Sequence, residues 1–200
     1  MIQSYYLGDY NVSDYTKPIQ TKLKMPIEWM VLEKSEDGKV LLYSRNILDW
    51  EMYDSKSEIS WDDSFIKRYL GKLYDFMFTD EEKEAIISGQ LGSLFLLSEE
   101  EIKRYLPTEE SRRAIQYFVE MEDGEMCVSL SHSTYWLRSD KCLGDEVPLV
   151  DSLGKIDFGY GDADETGIRV AMWVDVQKAR ALSAKKGYDK CNHYWEPEEF

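Results

Sequence analysis

An acidic stretch between residues 162 and 167 is the part of this sequence closest to a metal-binding loop. Oxygen-bearing side chains stand at Asp162, Asp164 and Glu165, shortly before Gly167, as in the first half of an EF-hand calcium loop. The match then fails, because Trp173 occupies the position of the bidentate glutamate and no paired helical patterns flank the loop. We favour a solvated acidic turn, so no cofactor is expected. A calcium site of another geometry on these three carboxylates is the alternative.

Cysteine and histidine, which bind zinc or carry redox chemistry, all fall in the last part of the chain: Cys127, His132, Cys142, Cys191 and His193. Structural zinc takes four nitrogen or sulfur ligands that usually come as closely spaced pairs. Only Cys191 and His193 are close in sequence, so ordinary buried or exposed side chains are the favoured interpretation. A metal-dependent or redox enzyme that uses Cys127, Cys142 and His132 stays open as the alternative.

Two arginines, Arg138 and Arg169, stand within short apolar runs that are typical of β-strands, at residues 134–139 and 168–174. A guanidinium close to a core needs paired acceptors. We therefore expect a structural role, in which the fork of N–H groups holds loops to a sheet. The alternative is that one of the two faces a pocket and clamps an anionic ligand.

Some aromatic residues have polar or glycine-rich neighbours instead of apolar ones: Trp50, Tyr53, Tyr160, Tyr194 and Trp195. Exposed rings suit the binding of sugars or peptides, since they offer apolar area together with a polar handle. Trp50 and Tyr160, with Arg138 and Arg169, are therefore candidate ligand-binding residues, while core or loop packing is the favoured interpretation for many of these rings. The sequence contains no nucleophile elbow or phosphate loop, and no catalytic residue is predicted.

The charge of the chain limits its partners. With 24 basic and 39 acidic residues, its formal net charge is −15 at pH 7, which repels nucleic-acid phosphates and anionic lipids. Nucleic acid and membranes are thus not expected as partners, and a small ligand, a glycan or a protein is. A polyanion mimic that binds basic partners is a further alternative, recognisable by steep salt dependence.

The sequence shows no targeting segment. Its start lacks a basic region followed by an apolar run, and no stretch approaches the ~20 apolar residues of a membrane helix. The three cysteines are odd in number and widely spaced, which favours free thiols in a reducing compartment. A cytoplasmic location is therefore expected.

The elements that would position these residues begin with a β-hairpin, because apolar runs at 25–33 and 39–44 flank a turn-forming segment at 35–38. Capping boxes at Ser60, Thr79 and Ser98 predict helices in the middle of the chain. The first carries an apolar face of Phe65, Ile66, Tyr69, Leu70, Leu73, Phe76 and Met77.

The second of these helices is expected to include Ala85, Ile86 and Ile87 and to stop at a left-handed Gly89. The third follows a short strand at 94–97 and must end near Pro107, and a fourth is predicted over 109–119.

Short strands return from about residue 126, and a last helix is predicted over 176–186. Strands, then helices, then strands is an α+β order. One domain over residues 1–176 is predicted, with residues 177–200 as a C-terminal helix and an acidic, aromatic tail.

Several segments, in their order and spacing, resemble the landmarks of one bacterial domain family without an established function: residues 7–10, 26–32, 95–98, 136–139 and 167–171, with Trp61 before the first helix. This family is similar to the formylglycine-generating-enzyme (sulfatase-modifying-factor) fold, a variant of the C-type-lectin fold. The resemblance covers about residues 5–176. It implies a single α+β domain with small twisted antiparallel sheets, flanking helices and long loops.

The enzymatic chemistry of that fold does not carry over to this chain. Formylglycine-generating enzymes bind copper through two cysteines about five positions apart, whereas Cys127 and Cys142 are separated by fifteen. Two family signatures also differ, since Asp140 follows Ser139 where Pro-Gly is usual, and Val170 replaces a proline. We therefore expect a non-catalytic ligand- or protein-binding module that uses the Gly- and Asp-rich loops between residues 141 and 167.

Overall fold

A computed structural model describes residues 4–12, 23–122, 125–140, 142, 144–163 and 166–185. In chain order the strands are β1 (Ser4–Val12), β2 (Leu23–Lys34), β3 (Lys39–Ser44), β4 (Asp49–Trp50), β5 (Ile86–Ile87), β6 (Ala114–Glu122), β7 (Glu125–Ser133), β8 (Tyr135–Trp136), β9 (Glu146–Val150), β10 (Ile156–Tyr160), β11 (Gly167–Ile168) and β12 (Ala171–Asp175). The helices are α1 (Phe65–Met77), α2 (Asp80–Lys83), α3 (Glu99–Tyr105), α4 (Glu109–Arg112) and α5 (Val176–Lys185).

The first sheet has the strand order β1-β2-β3-β12-β5 with antiparallel neighbours throughout. Its β2–β3 hairpin confirms the one predicted from the sequence. In the turn, the Ser35 N–H donates to the Lys39 carbonyl at 2.9 Å, and Gly38 adopts a φ of 84°. β12, from the far end of the domain, completes the sheet between β3 and β5.

Helix α1 begins four residues later than predicted. Its N-cap is Ser64, whose side chain accepts from the Lys67 N–H. The Ser60 hydroxyl instead donates to Asp63 at 3.0 Å in a turn that precedes the helix. The predicted apolar face is confirmed at Ile66, Leu70, Leu73 and Met77, which are buried. It is wrong at Phe76, which is 58% exposed.

The second and third capping boxes are confirmed. Thr79 and Glu82 cap α2, and Ser98 and Glu101 cap α3, each with reciprocal side chain to backbone hydrogen bonds. α3 ends ahead of Pro107, as expected. The prediction that the second helix extends through residues 85–87 is wrong, because Ile86 and Ile87 form β5 against β12.

The helix predicted over 109–119 is also mostly wrong. α4 covers only Glu109–Arg112, and β6 starts at Ala114 and pairs with β7 along its whole length. The apolar residues of this stretch fit both a helical and an extended period. Pairing with a strand further along the chain decides between them.

The second five-stranded sheet has the order β10-β9-β8-β11-β4. Its strands pair antiparallel except β8 and β11, which pair parallel with Gly167 opposite Tyr135. The segments around Arg138 and Arg169 are thus neighbours, as predicted. β10 and β4 lie at the two edges of this sheet.

The two sheets are joined where the chain leaves β11 and enters β12, and both contribute to one core. Among its fully buried side chains are Trp29 of the first sheet, Trp136 of the second, and Trp61 ahead of α1. The last helix, α5, is confirmed and buries Ala179 and Leu182. The architecture is mixed α+β with small antiparallel sheets. Within the residues described, no helix is long and apolar enough to cross a bilayer.

Candidate functional site

Arg169 is buried at the point where the two sheets meet, with 1% of its surface exposed. Its Nε donates to the Ser44 carbonyl at 2.7 Å, and its Nη1 donates to the Arg112 carbonyl at 3.3 Å. A third, longer contact joins Nη1 to the Tyr135 hydroxyl at 3.4 Å. Within the described residues, no carboxylate forms an ion pair with this guanidinium.

Two tyrosine rings take the place of a counter-ion. The guanidinium carbon of Arg169 lies 4.2 Å from the Tyr43 ring centroid and 5.4 Å from that of Tyr135. Both rings are buried, and burial raises the pKa of each phenol above its ordinary value. Because Tyr43 belongs to β3 and Tyr135 to β8, this cation–π cluster ties one sheet to the other.

Arg138 also uses its guanidinium within the protein. Nη2 lies 2.9 Å from Glu101 and Nη1 lies 3.0 Å from Asp140, while Nε donates to the Leu96 carbonyl at 3.2 Å. The Glu101 carboxylate that it binds also accepts from the Ser98 N–H, so Arg138 attaches the start of α3 to the second sheet. Both arginines have the paired acceptors that the sequence called for, and the ligand-clamp alternative stays a prediction.

The candidate aromatic residues separate into buried and exposed ones. Trp50, in edge strand β4, is half-buried and packs against the core. Tyr53 follows the packing interpretation: it is fully buried, with its ring 6.0 Å from Trp136 in an edge-to-face arrangement. Tyr160 is 69% exposed. Tyr194 and Trp195 lie outside the described residues.

Strand β10 presents further exposed apolar side chains that the sequence argument missed. Phe158 is 55% exposed, and Leu153, in the turn before β10, is 63% exposed. Phe158 and Tyr160 are two residues apart and point to the same face of the strand. The alternation of Phe158 and Tyr160 around Gly159 was the sequence signal from which this exposed face could have been predicted. We call Leu153, Phe158 and Tyr160 the β10 apolar patch.

The β9–β10 hairpin that carries this patch is held rigidly from behind. Gly154 has a φ of 86°, and a Cβ there would lie 1.9 Å from the Glu109 carbonyl oxygen. Nε of Arg112 donates to the Gly154 carbonyl at 2.7 Å, and Nε of Arg113 donates to that of Leu153 at 3.2 Å. The turn is therefore clamped on α4.

Carboxylates surround the β10 apolar patch: Asp145, Glu146, Asp157 and Asp162 are all exposed. None of the four forms an ion pair within the described part of the chain. Lys155 is the single basic residue between residues 144 and 162. The hairpin surface therefore combines exposed rings with uncompensated negative charge.

The predicted metal-binding residues are described only in part. Asp162 is exposed, while Asp164 and Glu165 lie outside the described residues. In the part of the chain that the structure covers, no three His, Cys, Asp or Glu side chains cluster as metal ligands would. The calcium site on Asp162, Asp164 and Glu165 stays a prediction.

The residues of the alternative enzyme hypothesis are placed as follows. Cys142 is a free thiol with 2% exposure, and desolvation raises its pKa. His132 is exposed at the end of β7. Cys127 pairs with Glu120 along the β6–β7 ladder, and its side chain is outside the description, as are Cys191 and His193.

The fold and this hairpin surface define a mixed α+β domain that presents an aromatic, acidic sheet edge. The chain belongs to a family described as a domain of unknown function (DUF6273), whose model matches residues 37–176. No curated protein and no solved structure matches the chain significantly.

Proposed function

We propose that this domain is a non-catalytic ligand- or protein-binding module whose contact surface lies between residues 141 and 167. The observation that carries the proposal is the β10 apolar patch on an edge strand. Contact of the exposed rings with water is unfavourable. A partner that covers them gains about 25 cal/mol for each Å² of apolar surface removed from water. Large aromatic side chains are also the residues that most often dominate binding energy.

The rigidity of the β9–β10 hairpin supports the same function. Arg112 and Arg113 hold the turn from α4, and Gly154 packs directly against that helix. A surface that is already ordered loses little conformational entropy when a partner binds. The clamp therefore favours affinity without contributing a contact of its own.

The position of Cys142 supports a binding role over the alternative enzyme. A thiol reacts as the thiolate, whereas Cys142 is buried and its raised pKa keeps it protonated. A cysteine of this kind is typical of core packing. The non-catalytic part of the proposal rests on this contrast with the exposed hairpin.

A C-type-lectin-like arrangement is the finer form of the proposed fold. Its support is the order of the sequence landmarks, together with small antiparallel sheets that share one core. Binding residues are often carried by connecting segments that a rigid scaffold positions, and the β9–β10 hairpin, clamped on α4, is positioned in this way.

The proposal is tested by probing a glycan array and a peptide array with the purified full chain and with a Phe158→Ser/Tyr160→Ser double variant. We expect hits for the wild type that the double variant loses. A Phe76→Ser variant is the matched control, because Phe76 is equally exposed, at 58% against 55% for Phe158, but lies on α1. An absence of hits on both arrays, or hits that the double variant retains, would refute the proposed surface.

A further inference from the structure

The main-chain N–H and C=O groups of alternate residues in β10 point away from the sheet. The Leu137 N–H donates to the Pro148 carbonyl at 2.8 Å, so this carbonyl, the one main-chain hydrogen-bonding group of a proline, points to the β8 side of β9. Phe158 is directly opposite Pro148, which makes this a non-hydrogen-bonded antiparallel pair. The N–H and C=O of Phe158 therefore point away from the sheet, and the same holds for Ile156 and Tyr160.

Some of these outward groups are already satisfied within the chain, and others are open. The Phe158 N–H donates to the carboxylate of Asp157 at 2.9 Å, and the Tyr160 carbonyl accepts from Ala163 at 3.1 Å. The Phe158 carbonyl and the Tyr160 N–H have no partner among the described residues. An open edge of this kind is a template for an added strand.

The side chains of β10 are sorted by face. Phe158 and Tyr160 lie on one face, and Asp157 lies on the other. Glu146, opposite Tyr160 in β9, adds a carboxylate to the aromatic face. A strand laid along this edge would place apolar side chains against the two rings and every second side chain beside Asp157.

The acidic surface around β10 determines which kind of strand would bind there. The four exposed carboxylates around the patch lack ion pairs within the described residues, and the whole chain carries −15. A second copy of this acidic chain would be repelled, as would an acidic peptide. A basic segment would be attracted, and it would release Asp157 from the Phe158 N–H to pair with a cationic side chain.

We propose that the β10 edge binds an extended cationic peptide, with alternating basic and apolar residues, as an added strand. This inference rests on the proposed binding function and specifies its partner. The main-chain hydrogen bonds of the edge give affinity for any extended chain. The rings and carboxylates select apolar residues on one face and basic residues on the other.

The test uses a blocked eight-residue peptide in which lysine alternates with valine, and fluorescence anisotropy at low ionic strength with the full chain. A twin with glutamate in place of lysine tests charge. Two further twins, methylated on the valine or on the lysine backbone nitrogens, each remove the donors of one strand edge. The protein variants are Phe158→Ser/Tyr160→Ser, Asp157→Asn, and the control Phe76→Ser.

We expect the lysine peptide to bind and the glutamate twin to bind at least about tenfold more weakly. At least one methylated twin should lose about tenfold, since it can no longer donate to the open Phe158 carbonyl of the β10 edge. The double variant should lose about tenfold or more, and Asp157→Asn a smaller factor that shrinks in 0.5 M salt. Phe76→Ser should bind as the wild type does.

The outcomes separate this inference from the function on which it rests. Equal binding of both methylated twins, or of the glutamate twin, overturns strand addition of a cationic peptide. Glycan-array hits that the double variant loses, without lysine-peptide binding, keep the binding module and overturn the peptide as partner. If the wild type gives no hit on either array and does not bind the lysine peptide, both the binding module and the cationic-peptide partner are overturned. Near-ultraviolet circular dichroism of each variant shows that it is folded.

Discussion

Replacement of Arg169 measures what a buried cation contributes to this domain when none of the described carboxylates pairs with it. We compare Arg169→Met, which keeps most of the side-chain length, with Arg169→Ala, which leaves a cavity, and Arg169→Lys, which keeps the charge. The guanidinium loses its water on folding, at a cost of several kcal/mol. Its main gains are the short hydrogen bond to the Ser44 carbonyl at 2.7 Å and the two nearby rings, and the longer hydrogen bond to the Arg112 carbonyl at 3.3 Å adds to them.

The magnitudes follow from these contacts. The charge-assisted hydrogen bond is worth about 1.5–3 kcal/mol, and a desolvated cation–π contact is worth about 2 kcal/mol. Methionine gives up both but removes the desolvation cost, so we expect Arg169→Met to remain within about 2 kcal/mol of the wild type. Arg169→Ala should lose about 3–5 kcal/mol, because a large buried side chain is deleted from a close-packed core. Lysine should be worse than methionine, since a compact ammonium cannot reproduce the fork.

Guanidinium chloride unfolding followed by tryptophan fluorescence gives the free energies of unfolding. Arg68→Met is the matched control, because Arg68 is exposed, and it should change stability by less than about 0.5 kcal/mol. Equal losses for Arg169→Met and Arg169→Ala would refute this reasoning, since the charge itself would then hold the two sheets together. Wild-type stability of Arg169→Lys would refute it as well.

Three further predictions concern single contacts. Gly154→Ala should destabilise the domain by at least about 2 kcal/mol more than Gly38→Ala. The two glycines have similar φ values, 86° and 84°, so the backbone strain of an alanine is alike at both. Only at Gly154 would the added Cβ also meet backbone, 1.9 Å from a carbonyl oxygen. Arg138→Gln should cost about 1.5–3 kcal/mol, because the side chain is 10% exposed and binds Glu101 at 2.9 Å. Burial, and then the hydrogen bond to a carboxylate, raise the pKa of Tyr105 to about 12. Its neutral phenol therefore stabilises the fold fully below pH ~10, the unfolded pKa, and this contribution is lost as the pH rises through 12. The loss of stability over this range should be smaller in Tyr105→Phe.

Each of the three has its own check, all by chemical denaturation. Equal losses of stability at Gly154 and Gly38 would mean that the turn can move away from α4 to make room for the Cβ without loss of stability. For Arg138 the control is Arg104→Gln, whose side chain is 70% exposed and 3.2 Å from Glu33, so it should lose less than about 1 kcal/mol. If the stability of Tyr105→Phe falls as steeply between pH 10 and 12 as that of the wild type, the phenol does not contribute.

Local signals gave the sequence predictions that the structure confirms. The capping boxes at Thr79 and Ser98 work within one turn of helix, because their hydrogen bonds join residues three apart. The β2–β3 hairpin likewise depends on a short turn between two apolar runs. Such features are complete within a few residues, and a single sequence shows them.

The wrong predictions fall where distant partners decide the structure. Ile86 and Ile87 follow a good helical start but pair with β12, and the stretch from Ala114 onward pairs with β7. Side-chain exposure has the same origin. Tyr53 and Tyr160 have similar polar neighbours in sequence. Trp136 covers Tyr53, while Tyr160 lies on an edge that none of the described strands covers.

The insertion of β12 between β3 and β5 has a consequence for synthesis on the ribosome. β3 is made early, yet its second hydrogen-bonding neighbour spans Ala171–Asp175 and emerges only after nearly the whole domain has been translated. Until then the nascent chain exposes an apolar strand edge that is prone to mispairing. Truncation ahead of residue 171 should therefore yield aggregation-prone chains that require chaperones, and assembly of the first sheet should be a late step of folding.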